Sequence, residues 1–140
     1  MPVAGTQTQS TPVASRILIV EDEITLASNL RQYLEHHHYD SRVATTVAAG
    51  LQLLEHYHPD VVLLDILLPD GDGRQILHRI RETDVPVGVI VMTAFGNAQL
   101  ALDAVAAGSD EYVEKPVPLG TLKLLIDRLI IRYRPSGAAS

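Results

Sequence analysis

The chain predicts a doubly wound α/β domain, with one five-stranded parallel sheet between two layers of helices. Three observations carry this. Short apolar runs alternate five times with helix-period segments, the pattern of βα units and a parallel sheet. Two of the runs, 61–64 and 89–92, are apolar without alternation, as central strands covered on both faces are. Turn-forming residues punctuate the joints between segments.

The elements follow in order. Ile17-Leu18-Ile19-Val20 marks a first strand over 16–20, which runs into Glu21-Asp22-Glu23 and a helix over 24–37. A weaker strand over 40–44 has Ser41 and Arg42 interleaved and suits a sheet edge. The helix over 46–57 stops at His58-Pro59-Asp60. The strand over 60–64 runs into Asp65, Gly71 and Gly73 break the chain, and a helix over 73–82 follows. The strand over 87–92 runs into Thr93. Gly96-Asn97 offers an N-cap for a helix over 97–107, and Gly108 its C-cap. A strand over 110–113 leads through Glu114 into Lys115-Pro116. The last helix, 119–133, places Leu122, Leu125, Ile126, Leu129 and Tyr133 on one face. Crossovers between the strands are expected to be right-handed.

Bulk properties narrow the function. The 140 residues suffice for one domain, read as 16–133, with flexible tails at 1–15 and 134–140. Aromatic content is only 4% with no Trp, so the core must be aliphatic. A formal net charge of -6 argues against direct binding of the nucleic-acid backbone. The absence of Cys excludes disulfides, thiol catalysis and thiolate metal sites. No apolar run is long enough to span a membrane, and no signal peptide opens the chain. A cytoplasmic location is the expectation.

In an open parallel sheet the carboxyl ends of the strands share one edge, where ligands bind. Glu21, Asp22, Asp65, Thr93 and Lys115 therefore converge. Asp65 ends an apolar strand before the loop Leu67-Leu68-Pro69-Asp70-Gly71-Asp72-Gly73. Such a carboxylate is expected to be exposed and ionised, and can act as a nucleophile that forms an aspartyl phosphate. Standing alone it could simply end the strand. Glu21 and Asp22 lie beside it if the first and third strands are neighbours. Clustered carboxylates favour a cation, and Mg²⁺ suits one or two carboxylates plus phosphate oxygens. Glu23 reads equally well as a solvated residue near a helix N-terminus. Lys115 is one of only two lysines, and its ammonium suits a phosphoryl oxygen. Thr93, taken alone, reads as an ordinary turn residue. His36, His37 and His38 point in different directions on a helix, so one ion cannot take all three. No G-x-G-x-x-G follows the first strand, which disfavours a dinucleotide site.

The segments ILIVEDE, VVLLDILLPDGDG, VIVMTAFG and EYVEKPV, in this order and spacing, resemble the response-regulator receiver domain of two-component signalling, over roughly residues 16–133. The resemblance implies strand order 2-1-3-4-5, the flavodoxin-like arrangement. It implies Asp65 as phosphoacceptor, Asp22 as a direct Mg²⁺ ligand, Glu21 as its neighbour acting through water, and the Leu67 backbone carbonyl as a further ligand. Thr93 and Lys115 would hold the phosphoryl oxygens, Tyr112 is the switch aromatic, and Lys115-Pro116 resembles the family's cis peptide.

The implied function is a switch. It takes a phosphoryl group from a histidine kinase or histidine phosphotransfer protein and changes the surface of the fourth helix, fifth strand and fifth helix. Such a module is not an enzyme in the turnover sense, though it promotes its own Mg²⁺-dependent phosphorylation and dephosphorylation. Its partners include a downstream protein or an output domain, and a phosphorylation-dependent homodimer is compatible. Two other readings compete: a pseudo-receiver that binds proteins without phosphate, and a Mg²⁺-dependent phosphatase. Several positions depart from the family pattern. Leu67 and Phe95 are apolar where the family tunes phosphate lifetime, and Val117 replaces the usual Phe. Pro118 and Gly120 predict a loose start to the last helix.

Overall fold

The computed structural model describes residues 14–94 and 96–134. Phe95 and most of both expected tails lie outside the described residues. The strands are β1 (Arg16–Val20), β2 (Asp40–Ala44), β3 (Val61–Asp65), β4 (Gly88–Thr93) and β5 (Glu111–Glu114). The helices are α1 (Ile24–His36), α2 (Val47–Tyr57), α3 (Arg74–Arg81), α4 (Ala98–Ala106) and α5 (Leu119–Tyr133). A small hairpin pairs Leu67–Leu68 with Gly71–Asp72 between β3 and α3, where the sequence alone predicts a loop. The five strands form one parallel sheet in the order β2-β1-β3-β4-β5.

Burial explains the order. Every residue of β3 and β4 is buried, and only Arg16 of β1 is exposed. Such strands need neighbours on both edges and helices on both faces. The half-polar β2 and β5 stand at the edges. Alternate strand residues face opposite ways, so the sheet sorts two cores. Leu18, Val20, Val62, Leu64, Val89 and Val91 meet Val47 of α2, Ile76, Leu77 and Ile80 of α3, and Ala104 of α4. Ile17, Ile19, Val61, Leu63, Ile90 and Met92 meet Ala27, Leu30 and Leu34 of α1 and Leu122, Ile126 and Leu129 of α5. Both cores are aliphatic, and Tyr57 is the one buried aromatic among the described residues.

Helix ends follow their local chemistry. Thr46 caps α2 by accepting from the Ala49 N–H at 3.1 Å. His58 ends α2 in the left-handed region, with φ 56°. Gly108 follows α4 with φ 113°, and Ser109 N–H closes back on the Ala104 carbonyl. Asn97 precedes α4 without making a side-chain cap, contrary to the expectation for Gly96-Asn97. Its φ of -99° and ψ of 46° lie outside the extended region that aims an N-cap side chain at the first turn. Pro118 precedes α5, also without a side-chain cap, because proline has no acceptor to offer. Among the described residues no helix is long and apolar enough to cross a membrane.

Candidate functional site

The site is assembled by parallel pairing. β1 and β3 are direct neighbours, with Val20 opposite Leu64. Glu21 and Asp22, just past β1, therefore stand beside Asp65 at the end of β3. β4 flanks β3 on the other side, with Asp65 opposite Met92, and ends one residue later on Thr93. β5 pairs Glu114 with Thr93, so Lys115 enters from the far side. Its backbone N–H donates to the Thr93 carbonyl at 2.7 Å, and the Lys115-Pro116 peptide bond is cis.

The Lys115 ammonium is the hub. Its Nζ lies 2.6 Å from Glu21 Oε1 and 3.0 Å from Asp65 Oδ2. The second Asp65 oxygen, Oδ1, accepts from the Leu67 backbone N–H at 3.1 Å. Glu21 Oε2 accepts from the Glu23 N–H at 3.0 Å. Carboxylate oxygens of Glu21, Asp22 and Asp65 lie within 4.8 Å of one another, the only group of potential metal-holding side chains of this kind among the described residues. The three histidines form no such group.

Two expectations change in detail. Asp65 was expected to be exposed; it is only 8% accessible, because the hairpin and the Lys115 side chain cover a strand end that would otherwise be open. Glu21 was expected beside Asp65 as the acidic neighbour of Asp22; it is there, but fully buried and in direct contact with Lys115, while Asp22 is the exposed member. Alternation accounts for this: Val20 packs in one core, the next side chain turns under the sheet edge, and the one after turns out.

Burial sets the electrostatics. The Glu21 carboxyl is pushed above its usual range by burial, against the pull of Lys115 and the Glu23 N–H. Burial works to lower the Lys115 ammonium, but the hydrogen bonds and charges of Glu21 and Asp65 outweigh it, and its pKa lies above the usual value. The lysine is thus held charged between two carboxylates.

The Thr93 hydroxyl is 3% exposed at the residue level and makes no hydrogen bond. Buried hydroxyls are nearly always partnered; this one, like those of Ser41, Tyr57 and Ser109, has no partner within the protein. It lines a cavity of about 80 Å³ together with Asp65, Leu67, Asn97, Leu100 and Lys115. That volume admits a few atoms beside the Asp65 carboxylate and no large substrate. Tyr112 lies outside it, 43% exposed on β5.

Sequence reasoning passed over Gly73, seen only as a chain break. A Cβ there would stand 2.5 Å from the Asp65 carbonyl oxygen, and its N–H donates to the Ile66 carbonyl at 2.6 Å. Only a residue without a side chain lets the start of α3 close this tightly on the Asp65 backbone. Its placement eight residues after an Asp at a strand end was the available signal.

The family model for the response regulator receiver domain matches residues 17–127. The chain belongs to that family. It is 34% identical over 116 residues to the regulatory protein AtoC of Escherichia coli, covering 83% of this chain and 25% of that protein. It is 33% identical over 117 residues to the transcriptional regulatory protein TrcR of Mycobacterium tuberculosis, covering 84% and 46%. The receiver domain thus spans between a quarter and about half of the length of these curated relatives.

A response regulator receiver domain protein (CheY-like) from Methanospirillum hungatei superposes with a TM-score of 0.83 at 27% identity, covering 89% of this chain and 99% of that one. A receiver domain protein from Clostridium thermocellum gives 0.79 at 30% identity, covering 84% and 95%. Receiver domains are signalling modules of two-component systems, so phosphorylation-based signalling is the function class of this fold.

Proposed function

We propose that this receiver domain accepts a phosphoryl group on Asp65 and uses it to change its α4-β5-α5 surface. One observation carries the reading: the Asp65 carboxylate is held at a strand end between Lys115 Nζ and the Leu67 N–H, facing a small cavity that an unpartnered Thr93 hydroxyl also lines.

The acidic cluster fits Mg²⁺. Its donors are hard carboxylate oxygens that lie within 4.8 Å of one another, and Asp22, the exposed member, opens the cluster to solvent. Asp22 and Asp65 would hold the ion directly, with the Leu67 carbonyl as a further oxygen donor and Glu21 acting through water. When bound, the ion supplies positive charge against the phosphoryl oxygens.

The residues of the chain do the rest. An Asp65 carboxylate oxygen attacks the phosphorus of a phosphohistidine or of a small acyl phosphate. The bond from phosphorus to the donor breaks, and its electron pair leaves with the donor's imidazole nitrogen or acyl oxygen. Lys115 exchanges part of its contact with Asp65 and Glu21 for a phosphoryl oxygen, where its charge opposes the build-up of negative charge. The product adds roughly -1.5 to -2 of charge at the strand end. The Thr93 hydroxyl donates to it, and Tyr112 turns from solvent toward the space that Thr93 leaves.

α4 is suited to respond, since its only buried residues are Ala101 and Ala104. Small side chains bury little apolar area, so little free energy holds the helix in place. Leu102, Val105 and Tyr112 are exposed on that face and offer an apolar surface to a partner. The phosphodonor is a histidine kinase or histidine phosphotransfer protein in the cytoplasm. The receiver of the signal is a downstream protein, an output domain, or a second copy in a phosphorylation-dependent homodimer. The chain acts as a switch rather than a turnover enzyme.

Incubation with acetyl phosphate and Mg²⁺, read by intact mass, tests this. A single phosphoryl adduct on the wild type that is absent from Asp65→Ala is expected. Absence of the adduct from a wild type that binds Mg²⁺ overturns the reading and leaves a phosphate-independent binding module.

A further inference from the structure

Leu67, whose carbonyl belongs to the proposed metal site, sits in a hairpin with only two residues in each strand. A lone two-stranded hairpin is marginal even at greater length, so the position of this one must come from anchors outside it. Its base is held by the Gly73 N–H on the Ile66 carbonyl and by the Leu67 N–H on Asp65. Its tip, Pro69-Asp70, is exposed and packs into no core.

Leu68, next to the tip, is buried in the core beneath α2 and α3, and one polar side chain ties down the tip itself. The Asp70 carboxylate accepts from the Val47 N–H at 2.7 Å and from the Ala48 N–H at 3.1 Å. Both donors belong to the first turn of α2, where backbone N–H groups lack partners within the helix. These two hydrogen bonds hold the Asp70 carboxyl below its usual range. The helix does not depend on Asp70 for capping alone, since Thr46 already caps it through Ala49. What Asp70 adds is a link from α2 to the loop that follows the phosphoacceptor.

We infer that Asp70 is a positioning residue for the metal site: by pinning the hairpin tip to α2 it fixes where the Leu67 carbonyl points. Partners that orient a metal ligand without touching the ion are worth about 10- to 100-fold in affinity. The inference rests on the Mg²⁺ reading given above.

Thr46 provides the control. Thr46→Ala and Asp70→Ala each remove a cap from the same helix, but only the second releases the hairpin. Isothermal titration of Mg²⁺ into wild type, Thr46→Ala, Asp70→Ala and Asp70→Asn, with urea unfolding of each, separates the roles. Asp70→Ala is expected to weaken Mg²⁺ binding about tenfold. Asp70→Asn retains one acceptor oxygen and should lose less. Thr46→Ala should keep wild-type affinity while losing comparable stability. Equal weakening in Thr46→Ala and Asp70→Ala, or no weakening in either, overturns the inference and leaves Asp70 as a helix cap. A wild type that takes up no Mg²⁺ instead overturns the metal reading beneath it, because the four proteins then give the same flat titration.

Discussion

Removing the Lys115 ammonium should leave two buried carboxylates facing each other. In Lys115→Ala, Glu21 and Asp65 lose the cation that stands 2.6 and 3.0 Å from them. The side chains of Lys115, Glu21 and Asp65 are 19%, 1% and 11% exposed, so solvent screens the loss little. Breaking a buried pair by deleting one partner costs about 3 to 5 kcal/mol. Residual access at Lys115 and Asp65 places the expectation at the lower end, about 3 kcal/mol, or about 10 °C in Tm.

The loss should depend on pH in a defined direction. Burial already raises the Glu21 carboxyl above 4.5, and Lys115 opposes that shift. A carboxyl with a raised folded-state pKa penalises the fold above that pKa, and the penalty is relieved as pH falls toward the unfolded value. Without Lys115 the shift grows, so the variant should recover stability relative to wild type as pH falls from about 7 to about 5. Mg²⁺ should stabilise the variant more than the wild type, because it meets carboxylates with no competing ammonium. Thermal melts at both pH values, with and without Mg²⁺, provide the assay. A variant as stable as wild type at neutral pH, or with the same pH profile, refutes the reasoning.

Gly73→Ala should destabilise by about 1 to 3 kcal/mol, because its Cβ would lie 2.5 Å from the Asp65 carbonyl oxygen; urea unfolding measures this, and a neutral result means the start of α3 can shift freely. Arg81 donates to the Gly108 and Val87 carbonyls and to Asp110, each at 2.9 Å, so Arg81→Ala should cost about 2 to 3 kcal/mol in the same experiment. Pro118→Asp should add the missing cap to α5 and stabilise by about 1 kcal/mol. In the wild type, rapid amide exchange over residues 119–121 is expected, and strong protection there would show that the uncapped start is firm.

The polar strand ends were legible because they follow from order along the chain. Apolar runs ending on Glu21, Asp65 and Thr93 must point these residues the same way once the strands are parallel. The edge position of β2 was also legible, since Ser41 and Arg42 interrupt its apolar pattern. Burial at the site was not. Whether Asp65 is open or covered depends on the hairpin, whose strands are too short to leave a periodic pattern. Asn97 showed the limit of cap rules: the residue type was suitable, but the backbone turned its side chain away from the first turn. Asp70 reads in sequence as one more acid in a loop, and only the approach of α2, 22 and 23 residues away in the chain, gives it a task.

The sequence by itself determined which groups meet, because period and strand direction are local properties that each residue's neighbours fix. The tertiary structure decided how those groups share charge: that Lys115 bridges Glu21 and Asp65, that Asp22 stays in solvent, that the Thr93 hydroxyl is left without a partner. Those outcomes depend on distances of 2.6 to 3.0 Å between residues up to 94 positions apart, and such distances exist only once both cores have packed.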